Sequence, residues 1–347
     1  MRDADFSRLK SRYFSLRIAL LTTLVMAAFV AIGTAPARAA EIVTEIADPV
    51  VVGSETNLLL QNLLNGVTFG LLLALASVGL SLIYGTTGLS NFAHGEQVTF
   101  GAAAAFAAVT AGAPLILAAV IAVLAGGASG WIQDWVLWSR LRKRNVKPMQ
   151  QMIVSIGLAL MLVNLLQIWM GAERVRLSTS IEERIQFGPV SIGPQTMISM
   201  AVCAIALAGV GYFLQRTRLG RATRAVSDNP ALASATGISV NWVIRIVWIM
   251  SGSLAALGGV LLALYENTSD FSAGARILLL MFAAVTLGGL GHPFGALVGS
   301  LVVGIVAEVS TVFLPTPDLK YAIVMGMLIL TLLFRPQGLL GRQERVG

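Results

Sequence analysis

The sequence predicts an all-helical protein that crosses a membrane several times. Of its 347 residues, 56% are hydrophobic and only 12% are charged, and the mean hydropathy is +0.81. Soluble domains carry about 25% charged residues, so this composition indicates long apolar helices in a bilayer. The 35 glycines are typical of membrane helices that pack closely or are interrupted. We therefore expect a bundle of about eight or nine transmembrane helices with broken or re-entrant segments.

The N-terminal region differs in character from the rest. Basic residues in the first 17 positions precede an apolar stretch at 18–32, and Ala-Pro-Ala-Arg-Ala-Ala follows at 35–40, with an Ala-x-Ala site at 37–39. This order is that of a secretory signal peptide, so we predict one at residues 1–39. An uncleaved first helix is the alternative. Residues 40–56 are acidic and are predicted to lie outside the membrane.

A transmembrane domain is predicted at residues 57–341, where apolar segments follow one another with short links. The predicted spans are 58–84, 96–111, 114–138, 150–170, 196–214, 244–264, 276–290, 293–313 and 320–334. Their lengths suit a hydrocarbon core of about 30 Å.

Basic clusters give the orientation of these spans. If the first span begins outside, the clusters at 140–147, 216–224 and 335–345 all fall on the cytoplasmic side. The loop 171–195 then lies outside, and its Gly-Pro pairs indicate a small hairpin. Residues 342–347 form a cytoplasmic tail.

A polar stretch at residues 216–240 interrupts the apolar pattern and predicts two short cytoplasmic helices. The first helix is predicted at about 220–227. Asp228 or Asn229 can cap the second helix, with Pro230 at its first position, where a missing N–H has no cost.

The same stretch has the features of a docking surface. Gly237 is predicted to end the second helix. Arg221 and Arg224 are three residues apart and share a face, and the surrounding residues are mostly small. A short basic helix pair suits a groove on another protein, and the alternative is an ordinary loop held by lipid phosphates.

Glycine and proline interrupt the apolar pattern at two comparable places, Tyr84–Glu96 and Leu287–Ala296. Non-helical backbone at membrane depth is tolerated where protein or a water-filled cavity surrounds it, and paired interruptions indicate a transport pathway. Two tight interfacial turns are the alternative.

Several polar residues in or beside the spans are candidates for the pathway or its gating. Glu308 is the one most clearly inside an apolar run, and His94 and Glu96 are predicted to have a structural or gating role and not to contact a ligand directly. Asp134, among tryptophans, is predicted to be interfacial. The full set of pathway candidates is Asn91, His94, Glu96, Gly289, Gly291 and Glu308.

The sequence contains no pattern for catalysis or cofactor binding. None of the lysines follows the glycines of a P-loop, so ATP binding by that motif is excluded. His94 and His292 lack partners at metal-ligand spacing, and the lone Cys203 is predicted to be a small core residue. The net charge of +7 lies in short clusters between spans, which indicates membrane topology and not nucleic-acid binding. We expect no enzyme activity, no cofactor and no metal.

Four motifs in order resemble those of a known transporter family. They are Asn91-Phe-Ala-His-Gly-Glu96 after Tyr84-Gly-x-x-Gly88, then Leu219-Gly-Arg-Ala-x-Arg-Ala…Asn229-Pro…Gly237-Ile, then Leu287-Gly-Gly-Leu-Gly…Phe294-Gly-Ala296, and Arg335-Pro-x-Gly-Leu-Leu-Gly341. Together they resemble the membrane permease of a branched-chain amino acid ABC importer over about residues 57–341. The first motif is similar to the first of the two permease subunits of such systems. Urea permeases share the scaffold but tend to have Met where Phe92 stands, and the first 56 residues depart from the commoner family form.

The resemblance implies a division of labour in the bacterial inner membrane. Two permease subunits would form the pathway, two cytoplasmic ATPases would hydrolyse ATP, and an external binding protein would deliver substrate. The cytoplasmic helices would sit in a groove of the ATPase, and the implied coupling residues are Gly220, Arg221, Arg224, Asp228, Asn229, Pro230 and Gly237. Branched-chain amino acids as substrate follow from the resemblance alone. A permease for urea or short amides, an ion-coupled secondary carrier and a non-transporting scaffold are the other hypotheses.

Overall fold

The fold is known from a computed structural model that describes most of the chain. The described residues are 51–177, 184–314, 316, 319–335 and 337–340. The predicted signal peptide at 1–39 and the predicted tail at 342–347 lie outside them.

Helices account for nearly all of the regular structure in these ranges. They are α1 Val51–Thr87, α2 His94–Thr110, α3 Leu115–Gln133, α4 Ser139–Lys143, α5 Pro148–Met170, α6 Pro194–Arg216, α7 Arg218–Asp228, α8 Pro230–Ala235, α9 Val240–Tyr265, α10 Ala273–Gly288, α11 Pro293–Ser310 and α12 Lys320–Phe334. A π-helical turn, Asp134–Trp138, joins α3 to α4. Each predicted apolar segment overlaps one of these helices.

Six helical stretches in the described residues are long and apolar enough to cross a membrane. They are Asn57–Thr87, Leu115–Lys143, Pro148–Met170, Pro194–Arg216, Val240–Tyr265 and Pro293–Ser310. Helices α10 and α12 are shorter apolar helices. The prediction of an all-helical polytopic membrane protein is confirmed at this level.

A small hairpin lies between α5 and α6, as predicted for the loop 171–195. Its strands, β1 Ile185–Phe187 and β2 Val190–Ile192, pair antiparallel. The side chain of Gln61 on α1 donates a 3.0 Å hydrogen bond to the carbonyl oxygen of Ser191 and accepts a 2.8 Å bond from its N–H. These two bonds hold the hairpin against the N-terminal part of α1.

Helix α1 lies at the centre of the bundle. In its most apolar window 89% of the residues are buried, against 11% for α5. The close approach of α1 to α11 depends on small residues, since a Cβ on Gly66 of α1 would lie 2.7 Å from the Cα of Ile305 of α11. The bundle therefore has a tightly packed centre at α1 and a loosely covered periphery at α5.

Asp134 is more deeply enclosed than its tryptophan-rich sequence predicted. Its carboxylate is fully buried and lies 2.6 Å from Nη2 of Arg142 and 3.5 Å from Nε of Arg245 on α9. Burial of a carboxylate requires such partners. Asp134 therefore ties the end of α3 to α9 inside the protein and does not face lipid headgroups.

The loop between α9 and α10 is held by a second ion pair. Oδ2 of Asp270 lies 2.9 Å from Nη2 of Arg276, and Ser272 donates hydrogen bonds to the other carboxylate oxygen. Burial alone would raise the pKa of Asp270, but the hydrogen bonds from Arg276 and Ser272 hold it below its usual value. The carboxylate is thus ionised throughout the neutral range.

Candidate functional site

The two predicted breaks meet at one end of the bundle. A Cβ on Gly85, near the end of α1, would lie 2.9 Å from the carbonyl oxygen of Gly291, in the link between α10 and α11. The first break is shorter than predicted, because only residues 88–93 are non-helical. Two glycines allow the backbones to approach closely at this point.

The first break extends into the bundle. The N–H of Phe92 donates a 3.1 Å hydrogen bond to Oγ of Ser155 on α5. Ser155 is seven residues after Pro148, the first residue of α5, which places it about 10 Å along that helix. Nε2 of His94 lies 3.0 Å from the carbonyl oxygen of Ala76 and holds the start of α2 against α1. The first break therefore packs against α1 and α5 within the bundle.

The second break is a tight turn. Gly289 and Gly291 have φ values of 109° and 77°, in the left-handed region that favours glycine. The N–H of His292 donates to the carbonyl oxygen of Gly289 and closes the turn before α11 begins at Pro293. The second break therefore joins α10 to α11 by a short glycine-dependent turn.

Helix α7 packs on the end of α6 through its small residues. A Cβ on Gly220 would collide with the carbonyl oxygen of Phe213, and the N–H of Gly220 donates a 2.9 Å hydrogen bond to Oγ1 of Thr217. Gly220, Thr223 and Val226 are buried. Gly220, one of the predicted coupling residues, thus lies on the inner face of α7, where it packs against α6.

Local capping defines α8 as the sequence predicted. Oδ1 of Asn229 accepts a 3.0 Å hydrogen bond from the N–H of Leu232, and Pro230 is the first helical residue. Of the two predicted caps, Asn229 is the one used. Gly237 has a φ of 87° and ends the helix.

The outer face of this helix pair combines positive charge with apolar surface. Arg221, Arg224 and Asp228 are exposed, and so are the side chains of Leu219 and Leu232. Neither arginine lies within 4.0 Å of an acidic side chain in the described residues. The face thus presents cations and apolar side chains that an acidic, partly apolar groove would complement.

A direct hydrogen bond joins α7 to the end of α1, just before the first break. Oγ of Ser227 donates to the carbonyl oxygen of Gly85 at 2.8 Å. The same region forms a cleft that both breaks and the helix pair share. Its lining residues are Tyr84, Gly85, Thr86, Thr87, Gly88, Ser227, Pro230, Leu290 and Gly291.

The fourth motif lies at this end as well. The N–H groups of Leu339 and Leu340 donate to the carbonyl oxygens of Leu287 and Gly288 at 2.7 and 3.1 Å. Gly338, with a φ of 75°, approaches so closely that a Cβ would lie 2.6 Å from the nitrogen of Gly289. Segments that are far apart in the sequence are therefore in contact around the two breaks.

Glu308 does not join this cluster. It lies near the end of α11, and its Oε1 is 2.9 Å from Nζ of Lys320, the first residue of α12. The same Nζ lies 5.5 Å from the ring centroid of Phe69. The candidate pathway residue is therefore part of an ion pair at the opposite end of α11 from the break.

Two buried polar groups of the first motif have no hydrogen-bond partner within the described part of the chain. Oδ1 of Asn91 accepts a hydrogen bond from the N–H of Ala93, but its Nδ2 has none. Oε2 of Glu96 is also unpaired.

The contact between Ser227 and Gly85 is not predicted from the sequence, because no local pattern signals a hydrogen bond across 142 positions.

Comparison with known proteins gives a consistent result. Residues 62–332 match the family model described as "Branched-chain amino acid transport system / permease component". The chain is 31% identical to LivH of Escherichia coli and 32% identical to BraD of Pseudomonas aeruginosa, both named as high-affinity branched-chain amino acid transport system permease proteins. Each alignment has 299 residues and covers 82% of this chain and 96% of the relative. A probable LivH of Methanocaldococcus jannaschii is 30% identical over 79% of this chain and 90% of its own length, and no solved structure matches.

Proposed function

The chain belongs to the family of branched-chain amino acid transport system permease components, and we propose that it forms the membrane pathway for uptake of branched-chain amino acids in an ATP-driven importer. The substrate is inferred from the names of relatives that align over nearly their whole length. The chain has no P-loop of its own, so ATP hydrolysis is assigned to partner subunits.

The proposed assembly contains a second permease subunit, two ABC ATPases and an external substrate-binding protein. The chain is a multi-pass protein of the bacterial inner membrane, in which α2, α10 and α12 complete a set of nine spans. This orientation puts the basic clusters in the cytoplasm. Residues 1–39 act as a signal peptide, so that residues 40–56 lie outside.

The arrangement of α7 and α8 is the observation that carries this function. The pair offers an exposed basic and apolar face on one side, and on the other side Ser227 is bonded to Gly85. In the proposed mechanism, closure of the ATPases on ATP binding moves this pair as a unit. Its movement shifts the ends of α1 and α10 at the glycine breaks and alternates access to the pathway.

Reconstitution tests the proposal. The chain would be copurified with its ATPases, second permease and binding protein, and radiolabelled leucine uptake into proteoliposomes would be measured. We expect uptake that requires hydrolysable ATP and is competed by isoleucine and valine but not by urea. Uptake that persists without ATP and collapses with an uncoupler would indicate an ion-coupled carrier instead.

A further inference from the structure

Glu96 is a buried carboxylate that has no cationic partner among the residues that the structure describes. It lies in the first turn of α2, is 3% exposed, and its Oε2 accepts no hydrogen bond. The other buried carboxylates in the described ranges, Asp134 and Asp270, each have an arginine within 2.9 Å. Because an isolated carboxylate is costly to bury, such a residue at membrane depth indicates a functional site.

The depth of Glu96 is that of a substrate site. His94, two residues earlier, contacts Ala76, which lies close to the midpoint of the apolar stretch Asn57–Thr87. Transporters bind substrate near the bilayer midplane, beside helices that are interrupted there. Helix α2 begins after the non-helical residues 88–93 and is such a helix.

Aromatic residues lie on both sides of Glu96 in the sequence. Phe100 is one turn after Glu96 on the same face of α2, and Phe92 lies in the link before α2. The ring centroid of Phe92 lies 4.9 Å from that of Phe282 on α10, and that of Phe100 lies 6.3 Å from that of Trp169 on α5. A carboxylate beside aromatic faces attracts a cation through its charge and through the rings.

Helix α5 covers this face loosely. It contacts the link before α2 through Ser155 and α2 itself through Trp169, and between them its inward side chains include Leu158 and Leu166. Because α5 is mostly unburied, it can move without disturbing the packed centre at α1. An aliphatic side chain beside Glu96 would then pack on leucine and aromatic surface.

We propose that Glu96 binds the ammonium group of the transported amino acid between α2, α5 and α10. This inference rests on the proposed function and adds the group that holds the substrate during passage. The site selects free amino acids with an aliphatic side chain. Urea, which is uncharged, would not satisfy the carboxylate.

The first test compares Glu96→Gln, which keeps the size and removes the charge, with Glu173→Gln at an exposed carboxylate. In the full reconstituted complex, we expect E96Q to lower the rate of leucine uptake at least tenfold, while its partners still copurify. Glu96→Asp should recover part of the rate, and E173Q should match the wild type. Wild-type uptake by E96Q would overturn the proposal.

The second test uses the unaltered complex and does not depend on the folding of a variant. Labelling of Glu96 by a hydrophobic carbodiimide is measured by peptide mass spectrometry. We expect leucine to protect Glu96, and 4-methylpentanoate, the same skeleton without the amino group, to give no protection.

Each outcome of the labelling decides one point. If Glu96 is not labelled, if leucine fails to protect it, or if 4-methylpentanoate protects equally, the ammonium site is wrong, although the complex still transports leucine. If the wild-type complex takes up no branched-chain amino acid with ATP, the proposed function itself fails.

Discussion

Oγ of Ser227, at the end of α7, donates a 2.8 Å hydrogen bond to the carbonyl oxygen of Gly85, near the end of α1. Gly85 in turn packs against Gly291 in the link between α10 and α11. A displacement of the α7–α8 pair therefore reaches the end of α1 through the Ser227–Gly85 hydrogen bond, and it reaches the link between α10 and α11 through the Gly85–Gly291 contact.

The exposed arginines of α7 are predicted to bind the ATPase. Replacing both, as Arg221→Gln with Arg224→Gln, should reduce the amount of ATPase that copurifies, because complementary charge across the interface is lost. The difference from the wild type should shrink as the salt concentration rises, since salt screens the exposed charges that the wild type still has. Arg144→Gln, in another exposed basic cluster, is the control. If the double variant and the Arg144→Gln control copurify with equal amounts of ATPase, α7 is not the docking face.

The close approach of the two breaks predicts that Gly85 tolerates no side chain. In Gly85→Ala the new Cβ would lie 2.9 Å from the carbonyl oxygen of Gly291 and from Oγ of Ser227. We expect a loss of about 1–3 kcal/mol from overpacking, seen as a lower midpoint of thermal unfolding, together with reduced uptake. Gly209→Ala, at an exposed helical glycine with open space around it, should leave both unchanged. Equal unfolding midpoints for the two variants would refute the tight contact.

The buried ion pair at the end of α3 predicts a large effect on stability. Asp134→Asn leaves Arg142 and Arg245 without their carboxylate, and removing one partner of a buried pair typically costs about 3–5 kcal/mol. We expect a marked fall in the yield of monodisperse protein after solubilisation. Arg140→Gln removes an exposed charge on the same segment and should have little effect. If the two yields are the same, Asp134 is not structurally required.

The contact between Glu308 and Lys320 predicts that these two charged groups stabilise the protein and are not themselves required for transport. Glu308→Gln leaves the ammonium of Lys320 without its carboxylate, and Lys320→Gln does the reverse. We expect both single variants to be less stable and the double variant to recover leucine uptake, with a coupling energy of about 0.5–3 kcal/mol in a double-mutant cycle. An ion-coupled carrier that uses Glu308 would instead stay inactive in the double variant.

Local sequence features were sufficient for the elements but not for their contacts. Pro230 and Gly237 gave the limits of α8 because capping chemistry is local. The ion pair of Asp134 with Arg245 spans 111 positions, and the tryptophans beside Asp134 favoured the interface instead. Its burial depends on how α3 packs against α9, which no short segment encodes.

Sites that depend on two segments were also beyond the sequence. The motif at Asn91–Glu96 marked a functional segment, but its depth depends on the contact of Phe92 with Ser155. Glu308 is predicted as a pathway candidate because its neighbours are apolar, but the sequence does not show that it lies near the end of α11 beside Lys320.

The most direct test of the coupling path is the number of leucine molecules transported per ATP hydrolysed, for Ser227→Ala and for Thr110→Ala. Thr110 is an exposed hydroxyl that bonds only within its own helix. Loss of the Ser227 hydrogen bond removes about 1 kcal/mol from the contact between α7 and α1, which corresponds to about a fivefold change in the equilibrium constant for forming that contact. We predict that S227A hydrolyses ATP but transports several-fold less leucine per ATP than the wild type, while T110A keeps the wild-type ratio. Equal ratios for the two variants would contradict a force path from α7 to the broken segments.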